Sequence, residues 1–97
     1  MFCAIRQYEN CTDAVQLRIR VEKELLPVLR DMPGFQSYIL IDCDDGDVTS
    51  FTAFATQADA ENANIEVAKI AADSFADLLP DGTALAIVGE VMIHNRK

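Results

Sequence analysis

Two runs of alternating apolar and polar residues, Phe35–Asp42 and Val48–Phe54, flank the acidic knot Cys43-Asp44-Asp45-Gly46-Asp47. Period-two alternation is the pattern of a half-buried strand. A short acidic link holding one glycine is turn chemistry, with Gly46 as the left-handed position. The pair is expected to form a β-hairpin. In its first strand Phe35, Ser37, Ile39 and Ile41 oppose Gln36, Tyr38 and Leu40; in its second Val48, Ser50, Thr52 and Phe54 oppose Thr49, Phe51 and Ala53. Just upstream, Pro33-Gly34 presets one turn dihedral and accepts a positive one, so a helix should end there and the chain reverse into the hairpin.

The other elements follow from the same kind of pattern. Phe2 to Tyr8 reads as a strand with Phe2, Ala4, Arg6 and Tyr8 on one face and Cys3, Ile5 and Gln7 on the other. Asn10 or Thr12 can cap a helix that carries Asp13 in its first turn. Its expected inner stripe is Val15, Ile19, Leu26 and Leu29, widened by Leu25 and Met32. Pro27 interrupts it, and proline removes a backbone donor and clashes with the preceding turn, so a kink or a fresh short helix is expected. Thr56 can cap a second helix with Asp59 and Glu61 early in it. Ala60, Ala63, Val67, Ala71, Phe75 and Leu78 mark that helix's inner side, and "LPDG" ends it. Thr83 to His94 reads as a last, long strand. The order β-α-β-β-α-β is an α+β, ferredoxin-like arrangement with a four-stranded antiparallel sheet, expected as one domain over residues 1–97.

Charge and cysteine content narrow the classes of function. The formal charge of −8 is uneven, because Lys69 is the sole basic residue between Asp31 and Asn95. Such a surface repels phosphate backbones, so no nucleic-acid role is expected. No apolar run approaches the roughly 20 residues of a membrane span. The N-terminus lacks the basic start and long apolar middle of a signal peptide. Cys3, Cys11 and Cys43 are odd in number and lack C-x-x-C spacing, which suits a reducing compartment. A cytoplasmic location is expected.

The final strand is apolar on both faces, with Leu85, Ile87, Val91 and Ile93 against Ala86, Val88 and Met92. Strands of that kind are normally covered on both sides. Two helices shield only one face of a four-stranded sheet. The remaining apolar face calls for a second copy, and a homodimer through the sheet is expected.

Several stretches together resemble the antibiotic-biosynthesis-monooxygenase-like family of dimeric α/β barrel proteins. They are Arg6 and Tyr8 in the first strand, "LLPVLRDMPGF", Tyr38 in "SYILID", "DGDVTSFTAF", Ala60, Glu61 and Asn64 in "AENAN", and "GEVMIH" from Gly89. The resemblance covers nearly the whole chain in order. It implies two protomers joined through their sheets, each with a pocket between helices and sheet. Members include cofactor-free oxygenases of polycyclic phenols and haem-degrading enzymes. The chain departs from the family in two places. It has no tryptophan, so the Asn-Trp-His set of the haem-degrading branch is incomplete, and it has Phe54-Ala55-Thr56 where relatives often carry Phe-Glu-Thr.

The polar residues best placed to line such a pocket are Tyr38, Asn64, Ser50, Arg6 and His94. A structural role competes for each. Tyr38 reads first as a core tyrosine with a satisfied hydroxyl, and Asn64 as either a pocket amide or a structural hydrogen bond. Ser50 reads first as an ordinary strand residue. Arg6 amid apolar neighbours calls for a carboxylate, with Glu90 on the last strand as the candidate. His94 sits near the C-terminus, where solvent exposure is expected. The acidic knot fails as a calcium loop: counted from Asp42, glycine falls fifth and the twelfth position is Ala53. No metal and no cofactor are expected. Two functions remain: a cofactor-independent monooxygenase acting on a small aromatic or polyketide-like molecule, or a non-catalytic dimer that binds a small apolar ligand or serves an accessory role.

Overall fold

The computed structural model describes residues 1–97. Strand β1 (Phe2–Tyr8) leads to α1 (Ala14–Arg20), a π-helical segment (Val21–Leu25) and α2 (Leu26–Arg30). Strands β2 (Phe35–Asp42) and β3 (Val48–Phe54), helix α3 (Gln57–Ser74) and β4 (Thr83–Glu90) complete the chain. The strands form one four-stranded sheet in the order β2-β3-β1-β4, with every neighbouring pair antiparallel. This is the ferredoxin-like α+β arrangement, with both helical layers on one face.

The first helical layer differs from the expected stripe. Its buried residues are Leu17, Val21, Leu25 and Leu29, while Val15 and Ile19 are exposed. A strict spacing of four would drift by about 40° per step in a regular α-helix of 3.6 residues per turn. The wider π-helical turns between Val21 and Leu25 absorb the drift and keep all four leucine and valine side chains on the sheet. Pro27 then falls in the first turn of α2, where its missing N–H costs nothing. The expected break at Pro27 is therefore present, and it takes the form of a π segment. The cap is also different: Asp13, not Asn10 or Thr12, accepts from the Gln16 backbone N–H at 3.0 Å.

Helix α3 follows expectation more closely. Thr56 caps it by accepting from the Asp59 N–H at 3.1 Å, and Ala60, Ala63 and Val67 are buried beneath it. Phe75, Leu78 and Leu79 continue the buried side past its end. Arg20 reaches from α1 to Asp77, at 2.7 and 2.9 Å, and links the two helical layers at the surface.

Two irregularities reset side-chain direction in the sheet. Between Phe35 and Ser37 the register with β3 shifts, so that Phe35 pairs with Phe54. The extra residue moves Phe35 off the Ser37, Ile39 and Ile41 face and onto the helical side, where its ring meets Phe54 edge-on at 5.7 Å. Strand β4 ends at Glu90, shorter than the expected run to His94. It is an edge strand whose only partner is β1, and Phe2 opposite Glu90 is the last residue β1 offers. One further bond, from the Val91 N–H to the Met1 carbonyl, closes the ladder.

The hairpin is present with the expected loop, and more of its residues are left-handed than the one expected at Gly46. Asp44, Asp45 and Gly46 all have positive φ, at 68°, 51° and 85°. Aspartate tolerates that region because its side chain can serve the local backbone, and here the Asp42 carboxylate accepts from the Asp44 N–H at 3.0 Å. A Cβ on Gly46 would stand 3.2 Å from Asn10 Cα, so the glycine also admits the β1–α1 loop. No helix is long and apolar enough to cross a membrane.

Candidate functional site

The register places Ala4, Arg6 and Tyr8 with Val48, Ser50, Thr52 and Phe54 on the helical face of the sheet. Arg6 is 5% exposed and lies under α3. Its Nε donates to the Tyr8 hydroxyl at 2.8 Å, one terminal nitrogen to Asn64 Oδ1 at 2.7 Å, and the other to Thr83 Oγ1 at 2.6 Å. The guanidinium carbon also stands 5.6 Å from the Tyr8 ring centroid. All three acceptors are neutral. The expected partner Glu90 is absent from this set, because the strand register puts Ala86 opposite Arg6 and sends Glu90 to Phe2 at the far end. The two ion pairs in the molecule, Arg20–Asp77 and Lys69–Glu66, are both elsewhere.

Thr83 reaches Arg6 through a bulge. Gln7 pairs with Leu85 but Tyr8 pairs with Thr83, so one residue of β4 is skipped. Without the bulge, alternation would turn Thr83 to the opposite face. A bulge beside a functional group commonly re-aims one side chain in this way. Gly82, with φ of 67°, brings the chain into that position.

A cavity of about 270 Å³ opens beside this network. Arg6, Tyr8 and Thr83 form its polar side, and alanines of α3, among them Ala68 and Ala72, form a shallow apolar wall. Tyr38 and Ser50 lie further in, around a separate void of only about 20 Å³. That space holds roughly one water molecule. Tyr8, Ala71 and Leu79 line both spaces and form the partition between them.

Burial drives the Tyr38 phenol well above its ordinary value of 10.0; the neighbouring Tyr8 adds to the rise and the Ser50 hydroxyl offsets part of it. Tyr38 is therefore protonated at neutral pH, a hydrogen-bond donor that is not a base.

Of the five residues chosen from sequence, Arg6 lines the open cavity with Asn64 hydrogen-bonded behind it, and Tyr38 and Ser50 meet at the inner void. His94 lies in the exposed segment beyond β4 and joins neither. Tyr8 and Thr83 were missed. Tyr8 was readable, since it stands two residues from Arg6 on the same strand face. Thr83 was not, because the bulge that turns it inward leaves no mark in the alternation.

No family model and no curated protein matches the chain. Its likeness is to solved structures. A candidate antibiotic biosynthesis monooxygenase from Nitrosomonas europaea superposes with a TM-score of 0.64 at 16% identity, over 94% of this chain and 89% of that one. An ethyl tert-butyl ether degradation-type family protein from Bacillus halodurans gives 0.63 at 15% identity, over 95% and 99%. A mutant of MhuD with two manganese protoporphyrin IX molecules bound per active site gives 0.60 at 16% identity, over the full length of both chains. At these identities the likeness is one of fold, and the fold is that of the antibiotic-biosynthesis-monooxygenase type. The residues here do not suit a porphyrin: the lone histidine lies outside the cavity, tryptophan is absent, the cavity lining holds no histidine, cysteine or methionine, and its one tyrosine hydroxyl already accepts from Arg6.

Proposed function

We propose that the protein is a homodimeric, monooxygenase-type protein that takes a small aromatic or polyketide-like molecule into the cavity between α3 and the sheet. The observation carrying this reading is a buried, permanently charged guanidinium that borders an apolar-walled cavity. Cofactor-free oxygenation needs a site that limits water, a group that holds the phenol, and donors for the negative charge that develops. Arg6 supplies the last two, with Tyr8 and Thr83 fixing its direction. On a phenol the net step places one oxygen atom of O₂ on a ring carbon and releases the other as water. The ring C–H and O–H supply the protons of that water, and the substrate supplies all the electrons.

The dimer uses the other face of the sheet. Ile39, Phe51, Ile5 and Ile87 lie side by side across all four strands, and no charged side chain joins them on that face. Apolar, charge-free surface of this kind suits the centre of an isologous interface. Light scattering is expected to give twice the chain mass at micromolar concentration, and a monomer there would remove this part of the reading.

A second reading, a non-catalytic binder of small ligands, has its own support. Tyr38 is protonated, His94 lies elsewhere, and the lining of the cavity holds no carboxylate or imidazole to act as a base. Oxygen uptake with a panel of reduced phenols and no added cofactor separates the two. Uptake supports catalysis; its absence, with no Soret shift on adding haem, supports the binder.

A further inference from the structure

Arg6 carries a full positive charge inside the protein with no carboxylate against it, an arrangement that normally demands a counter-ion. A guanidinium has five N–H donors. Three are used here, one from Nε and one from each terminal nitrogen. Each terminal nitrogen thus keeps one N–H, the number that a carboxylate takes in a two-pronged pair. Asp81, in the loop beside the cavity, is not the missing partner: it makes no ion pair with Arg6, and one of its oxygens accepts from the Asn10 side-chain amide.

We infer that the cavity beside Arg6 is a site for a small, flat carboxylic acid, whose carboxylate pairs with the Arg6 guanidinium and whose ring lies on the alanine wall of α3. This rests on the reading of that cavity as the ligand site and changes one part of it: a carboxylate, in place of a phenol oxygen, takes the two free N–H groups of Arg6. The single buried cation matches a monoanion. A phosphate dianion would remain half neutralised, and no second Lys or Arg lines the cavity. A phenolate offers one oxygen to two free N–H groups, and a neutral phenol must first lose a proton. A carboxylate is already ionised and presents two oxygens. The volume of about 270 Å³ falls just below the range of small-molecule sites, roughly 300–1,000 Å³, so a one-ring acid fits the size better than a polycycle.

The test is binding of benzoate against neutral benzamide to the full chain, by calorimetry and by NMR of the arginine Nε–H signals. Benzoate is expected to bind at least about tenfold tighter than benzamide, and to shift the Arg6 Nε–H and the Thr83 amide. Ala72→Leu, which adds bulk to the exposed alanine wall away from the guanidinium, is expected to weaken benzoate binding at least about tenfold with the melting temperature kept. Arg6→Gln is expected to erase the preference for the anion; should that variant not fold, Ala72→Leu and the NMR map decide the matter. Equal affinity for the two probes, no saturation below about 10 mM benzoate, or shifts confined to exposed Arg18 and Arg30 would each overturn the inference. Oxygen uptake is a separate readout. A binder of benzoate that consumes no oxygen removes the catalytic reading alone, and uptake without preference for the anion removes this inference alone.

Discussion

On the covered face of the sheet, Arg6, Ser50 and Thr52 lie buried beneath the helices, together with the Tyr8 hydroxyl. On the bare face, Ile39, Ile41, Leu85 and Ile87 stand 40–54% exposed, with no charged neighbour on that surface. The same four strands thus bury a cation among the apolar side chains of one face and leave large apolar side chains bare on the other, the reverse of what solvation alone favours. The reversal makes sense if the two faces have different tasks. An apolar exposed face gains by meeting a copy of itself. A charge held under a helix costs free energy to keep and is retained where it meets something.

The sharpest contrast comes from removing bulk on each face. Phe54 is fully buried against Phe35 and the helical core. Phe54→Ala is expected to cost about 3–5 kcal/mol in urea unfolding, through lost burial and the cavity it leaves. Next, Ile87→Asp places a carboxylate on the bare face, beside Ile5. In an isolated protomer that position is half exposed, and the fold should survive with a native circular dichroism spectrum. In the proposed dimer each such charge would be buried without a partner, an uncompensated burial of about 3–5 kcal/mol. Light scattering is expected to show monomer. A dimer that persists would mean the bare face is not the interface, and the comparison between faces would fail.

A smaller effect probes the inward charge. Thr83→Val keeps the shape of the side chain and deletes the acceptor of one Arg6 N–H. Hydrogen bonds to charged groups are worth about 1.5–3 kcal/mol, and the loss should fall in that range if the N–H is left dry. A loss near zero would show that water reaches Arg6 from the cavity and replaces the hydroxyl.

The hairpin, the Thr56 cap, the alanine stripe of α3 and the split of β1 into two faces were legible because each depends on local chemistry or on simple alternation. The face of α1 was not. Its side chains follow a spacing of four that a regular helix rejects, and only the π segment before Pro27 makes that spacing work. The same limit applied to the site. Arg6 and Asn64 could be picked as polar residues in apolar stripes, but Glu90 was the wrong partner, since pairing order says which strands meet and not their register. Thr83 was hidden by a one-residue bulge. What sequence periodicity misses here is where the period breaks, and in β4 that break is what completes the Arg6 network.

The last prediction concerns how dry the covered face is, and it appears only at high pH. Burial raises the Tyr38 phenol above its ordinary value of 10.0. In the unfolded chain the phenol ionises near that ordinary value, whereas in the folded chain it keeps its proton. Below that pH both states hold the proton and Tyr38 adds no pH dependence. As pH climbs beyond it, the unfolded state alone releases a proton, so stability falls with rising pH until the folded phenol also ionises. Melting temperatures of the native chain and of Tyr38→Phe, followed from about pH 8 to pH 11, should therefore run parallel at first. Above the ordinary value the native chain should fall more steeply, because phenylalanine has no proton to release. Equal slopes would mean that Tyr38 ionises as freely in the folded protein as in water, and that the space between helices and sheet is wetter than a void of about 20 Å³ implies. A steeper native limb would show that the inner void around Tyr38 stays dry beside the open Arg6 cavity.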